Sequence, residues 1–95
     1  MTIDIQSVHF SPGRELLSFI DKKAKKLFRL DDTLISFDVY LKIERAASHE
    51  NKVAEVRIHS SNGDCFAKKR CDTFEHSINL TFDALRKQLL KIKKK

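Results

Sequence analysis

The chain is 95 residues long, which allows one small domain and excludes a two-domain enzyme, since folding at this size buries only roughly 60 to 65% of the unfolded surface. Apolar residues make up 41% and charged residues 34%, with two glycines and one proline: enough for a core, too few chain breakers for disorder. The net charge is +6, yet residues 1 to 83 balance 13 basic against 13 acidic side chains, and the whole surplus is Arg86, Lys87, Lys91, Lys93, Lys94 and Lys95. A neutral body with a basic end points to a polyanionic partner: nucleic acid, an anionic membrane surface or an acidic protein.

Thr2 to Val8 alternates Ile3 and Ile5 with Asp4 and Gln6, the period-two pattern of a strand and not the apolar core of a signal peptide. No apolar run approaches the roughly 18 to 20 residues of a bilayer span, so a cytoplasmic location is expected. Ser11 followed by Pro12 predicts a helix start, with the hydroxyl as N-cap and proline at the first helical position. The helix runs to about Arg29. Leu16, Phe19, Ile20, Ala24 and Leu27 form its apolar stripe, and Lys22, Lys25, Lys26 and Arg29 recur on another face. Asp31 and Asp32 end it.

Leu34 to Glu44 alternates Ile35, Phe37, Val39, Leu41 and Ile43 with polar residues, which predicts a long strand burying those five. The polar stretch from Arg45 to Asn51 turns the chain. Ala54, Val56 and Ile58 mark a third strand, and Asn62-Gly63 a hairpin into a fourth, Asp64 to Arg70, with Cys65 and Ala67 facing inward. Asp72-Thr73-Phe74-Glu75 has the spacing of a capping box, with Asp72 as cap. Phe74, Ile78, Phe82, Leu85, Leu89 and Ile92 then form one stripe, and Lys87, Lys91 and Lys94 fall opposite it. The order strand, helix, three strands, helix predicts an α+β two-layer sandwich, a four-stranded sheet with both helices on one face.

Catalytic signals are weak. Cys65, Cys71 and His76 are spaced unlike zinc ligands, and with Gly13 and Gly63 alone there is no phosphate-binding glycine loop. Both cysteines read as free thiols in a reducing compartment, and His9, His49 and His59 as turn or surface residues. A hydrolase or metal enzyme using His76 with Cys71 is the reading from another class. The basic residues are more informative. The last twelve residues hold six cations and no anion, beyond the one or two that a helix C-terminus favours, and this suits phosphate contact with counterion release. Base stacking on the sheet is disfavoured, because Tyr40 and Phe66 alone offer exposed rings. A membrane surface is disfavoured because the last helix needs its apolar face for the core.

In order, spacing and length the chain resembles the ribosome hibernation promoting factor family, which includes the ribosome-associated inhibitor proteins. The residues that carry the resemblance are Phe10, Leu16 and Phe19-Ile20, then Lys23 and Lys26-Leu27, the strand Val39 to Glu44, the helix start Asp72-Thr73-Phe74, and Leu85 to Lys93. It departs from the family's pattern at Ile78-Asn79, one residue later than usual, and at Lys68, Lys69 and Arg70, which are more basic than usual. The resemblance implies a fold akin to the double-stranded-RNA-binding domain with an extra first strand. It also implies binding to the small ribosomal subunit and its ribosomal RNA, where messenger and transfer RNAs would sit. Translation is then inhibited and ribosomes are preserved inactive, as in a stationary-phase stress response. No enzyme activity, cofactor, metal, membrane or small-molecule substrate is implied. The matching RNA-binding positions are Lys23 and Lys26 on the first helix and Arg86, Lys87, Lys91 and Lys93 on the last; Lys22 joins them from the first basic cluster and Lys94 by periodicity. The chain stops at Lys95, without the dimerisation domain of the family's long form, so a short form with a single ribosome-binding domain is expected. The alternative is a general binder of double-stranded or structured RNA.

Overall fold

The computed structural model describes residues 1–44 and 50–93. Six elements follow one another: β1 (Thr2–Val8), α1 (Arg14–Leu30), β2 (Leu34–Ile43), β3 (Lys52–Ser60), β4 (Cys65–Cys71) and α2 (Phe74–Lys93). The sheet order is β1-β2-β3-β4, with β1 parallel to β2 and the later pairs antiparallel. Parallel neighbours need a crossover, and α1 supplies it, which seats that helix on one face of the sheet. The three-strand meander returns the chain so that α2 lies beside α1 on the same face. The α+β sandwich is as the pattern predicts.

One core fills the space between the layers. Ile20 and Ala24 of α1, Phe37 and Leu41 of β2, Val56 and Ile58 of β3, and Ile78, Leu85 and Leu89 of α2 are all excluded from solvent. Phe37 and Phe82 stack across it, ring centres 6.0 Å apart. Two buried hydroxyls let α2 approach β3 closely: Ser77 Oγ donates to the Lys52 carbonyl at 2.6 Å, and Thr81 Oγ1 to the Ser77 carbonyl at 2.7 Å. Satisfied in this way, neither hydroxyl carries a burial penalty.

Four local expectations are corrected. Ser11 does not cap α1; Gly13 is the N-cap, extended at φ −73° and ψ 165°, with no side-chain cap bond, and Pro12 precedes the helix. The chain first makes a tight turn in which His9 takes a φ of 68° and Ser7 Oγ donates to the Phe10 carbonyl at 2.7 Å, and this turn consumes the residues that would have started the helix earlier. It also brings Phe10 against Phe74, 4.7 Å between ring centres. In α2 the cap is Thr73, not Asp72: Thr73 Oγ1 accepts from the His76 N–H at 3.1 Å, while Asp72 accepts from the His76 ring. In β2 the pairing slips between Leu34 and Ser36, a bulge that turns Leu34 inward and leaves Ile35 58% exposed. Ile43, also expected inside, is exposed at the strand's end.

Cys65 and Ala67 face inward as expected, and the β3–β4 turn closes with the Gly63 N–H donating to the Ser60 carbonyl at 3.2 Å. Gly63 takes φ +130°, where a side chain would be strained. The turn expected from Arg45 to Asn51, and His49 within it, lie outside the described residues except for Glu50 and Asn51.

Candidate nucleic-acid interface

Lys23, Lys26 and Arg29 recur at steps of three, so α1 presents them along one flank. That flank faces α2. Together with Leu27, Leu30, Phe82, Asp83 and Arg86 they line a groove of about 480 Å³ between the helices. Its floor is apolar and its rim carries four cations and one carboxylate. Lys23 is further placed by Phe19, with its ammonium 5.4 Å from the ring centre, a cation–π contact one helical turn away.

The sequence-derived site residues thus divide. The groove unites Lys23 and Lys26 with Arg86, which lies 60 residues beyond Lys26 in sequence. Lys22 points into a separate depression with Arg14, Glu15, Ser18 and Phe19. Lys87 and Lys91 are exposed on the side of α2 away from the buried Leu85 and Leu89, so they extend the basic surface outward without entering the groove. Lys93 closes α2, and Lys94 lies outside the described residues. Arg29, grouped with the first-helix cations but not counted as a binding residue, belongs with the groove; its spacing of three from Lys26 was the available signal.

Ion pairing holds several of the sheet's cations and few of those on the helices. On the sheet, Lys68 pairs with Glu55 at 3.4 Å, Arg70 with Glu44 at 3.2 Å and Lys42 with Glu44 at 3.8 Å. This accounts for two of the three basic residues of β4, which are held by neighbouring acids. On the helices, Lys25 pairs with Asp21 at 2.9 Å. No ion pair occupies Lys22, Lys23, Lys26, Arg29, Arg86, Lys87 or Lys91 among the described residues. Their charges are available to a partner.

Cys65 is buried, and desolvation, reinforced by Asp64 and Asp31, pushes its thiol up from the ordinary range, away from reactivity. His76 is occupied by Asp72, at 3.3 Å. Among the described residues no three His, Cys, Asp or Glu side chains gather into a metal-ligating group, and no helix is long and apolar enough to cross a membrane.

These features define a class: a β-α-β-β-β-α domain with a mixed four-stranded sheet and a group of cations outside any ion pair on its two helices. The same fold is found in a ribosomal subunit interface protein from Coxiella burnetii, with a TM-score of 0.89, 18% identity and all of both chains covered. It recurs in the N-terminal domain of Protein Y from Thermus thermophilus, with a TM-score of 0.76, 17% identity, and 93% of this chain and 91% of that one covered. No curated protein matches the chain. Residues 3–95 match the family described as Sigma 54 modulation protein / S30EA ribosomal protein, and the chain belongs to that family.

Proposed function

We propose that this protein binds the small ribosomal subunit where messenger and transfer RNAs would sit, inhibits translation and preserves ribosomes in an inactive state. It acts without catalysis and, with the ribosomes, in the cytoplasm. The observation that carries the reading is the partition of charge: seven helix cations outside any ion pair among the described residues, four of them, Lys23, Lys26, Arg29 and Arg86, in one groove. Phosphates of ribosomal RNA are the counterions such a surface suits, because each one neutralised releases condensed salt. Lys23, Lys26 and Arg86 supply the central grip, and Lys22, Lys87, Lys91, Lys93 and Lys94 make further phosphate contacts. Membership of the S30EA ribosomal protein family and the fold shared with a ribosomal subunit interface protein support the ribosome as the polyanion.

Co-sedimentation with isolated ribosomal subunits, run beside an in-vitro translation assay, tests this. Binding to the small subunit with loss of translation is expected. Binding without inhibition overturns the mechanism, and displacement of the ribosome by a plain RNA duplex replaces it with general recognition of structured RNA.

A further inference from the structure

Both helices lie on one face of the sheet, and the other face is uncovered among the described residues. Asp4 and Gln6 of β1, Asp38 and Tyr40 of β2, Glu55 and Arg57 of β3 and Phe66 of β4 surround a depression of about 360 Å³ there. Tyr40 is 45% and Phe66 47% exposed, so two aromatic rings stand in water on an otherwise polar surface. The ring of Phe66 already carries a cation, with the Arg57 guanidinium 5.6 Å from its centre. The ring of Tyr40 carries none among the described residues.

Within the depression charge is the reverse of that on the helices, three carboxylates meeting one guanidinium, while Lys42, Lys68 and Arg70 elsewhere on the face are held by Glu44 and Glu55. In the parallel register Asp4 stands directly opposite Asp38, an arrangement of like charges that destabilises a sheet. Asp38 has His59 at 3.2 Å and Glu55 has Lys68 at 3.4 Å, but among the described residues Asp4 has only the Gln6 amide, at 3.5 Å. Asp38 also has Arg57 opposite it in the β2–β3 register, so what the depression lacks among the described residues is a cation beside Asp4 and over Tyr40, the diagonal neighbour of Asp4.

We infer that the outer face of the sheet is a docking surface for an extended protein segment carrying arginine. A guanidinium is planar, so it can stack on Tyr40 as Arg57 does on Phe66 and still offer two parallel N–H donors to a carboxylate. An extended segment suits a depression whose lining comes from all four strands. Nucleic acid does not, because its phosphates would meet the three carboxylates. This surface lies opposite the helix groove, so its occupant is a second partner, independent of the proposed RNA contact.

The test is an NMR titration of the labelled chain with a Gly-Ser peptide bearing spaced arginines, its lysine counterpart, and a single-stranded RNA oligonucleotide. The arginine peptide is expected to shift the amides of Asp4, Asp38, Tyr40 and Glu55 and to bind more tightly than the lysine peptide. Asp4→Asn with Asp38→Asn should weaken it about tenfold, a change of roughly 1.4 kcal/mol in binding free energy. The same variant should bind ribosomes as the parent does, and Lys26→Ala with Arg86→Ala should leave peptide binding unchanged. Asp4→Asn alone, which removes the repulsion but keeps the Asp38–His59 pair, serves if the double variant melts early. Absence of binding, shifts confined to other residues, equal affinity in the Asn variants, or RNA shifting these same amides would overturn the inference.

Discussion

Gln88 of α2 forms two hydrogen bonds with the backbone of Phe66 in β4: its Nε2 donates to the Phe66 carbonyl at 2.8 Å, and its Oε1 accepts from the Phe66 N–H at 3.2 Å. A side-chain amide thus takes the place of a neighbouring strand on an otherwise open sheet edge. Unpaired edges invite pairing with other chains, and covering them is one way a sheet remains single. Gln88→Ala should lower stability by about 1 kcal/mol, from two partly exposed bonds, and should increase self-association. Urea melts and light scattering check both; a parent-like midpoint and a monodisperse sample would show that the edge needs no cap.

The helix groove predicts a difference between two pairs of substitutions. Lys26→Ala with Arg86→Ala removes two cations that converge on one groove, whereas Lys87→Ala with Lys91→Ala removes two from the outer surface of α2. If phosphates are neutralised at each, every pair should reduce the salt dependence of ribosome binding by about two units of slope, with the larger loss of affinity from the groove pair. Folding should not change, because all four side chains are exposed. Sedimentation across a salt series decides it, and unchanged slopes for both variants would remove the helix face from the interface.

Leu85 is fully buried beneath α2, and Phe82 stacks on Phe37. Leu85→Ala is expected to cost about 2 to 5 kcal/mol and Phe82→Ala about 3 to 5 kcal/mol, as lost burial and a residual cavity add. Thermal or urea unfolding measures this; either variant melting like the parent would contradict the core described here.

The start of α2 separates two neighbours that look alike in sequence. Thr73→Ala removes the cap and should cost about 1 kcal/mol, while Asp72→Ala should cost less. Asp72 acts through His76, whose ring hydrogen bond is the main reason its carboxyl sits below the usual carboxylate range. Because the folded value is depressed, the stabilisation is present above the unfolded value near 3.9 and is lost as the pH falls through the folded one. In His76→Ala the Asp72 titration, followed by NMR, should move up toward its ordinary range; an unmoved titration would dissociate the two residues.

Burial of Cys65 and Cys71 predicts slow alkylation of the native chain and rapid alkylation once it unfolds. For Cys65 the raised thiol value adds a sign: its contribution to stability is complete below the unfolded value near 9.0 and declines as the pH rises through the folded one. Rapid labelling at neutral pH without denaturant would mean that α2 opens readily from the sheet.

Several features of this protein were determined by sequence alone. Element type and order follow from hydrophobic period, which is a local property, and so do the inward positions of Phe37, Val39 and Leu41 and the α2 stripe from Ile78 to Leu89. The surplus of cations after Asp83 was equally plain. What depended on contacts between distant residues was not. The bulge that exchanges Ile35 for Leu34 is set by the pairing of β2 with β3, and the cap of α1 by a turn that seats Phe10 on Phe74. Thr73 and Asp72 are equivalent caps until the helix phase is known. Tertiary structure alone decided which charges meet: it brought Arg86 to Lys23, Lys26 and Arg29, gave Lys68 and Arg70 to neighbouring acids, and set Asp4 opposite Asp38. Coulomb energy depends on distance and shielding, and until the strands and helices are placed together the sequence contains neither.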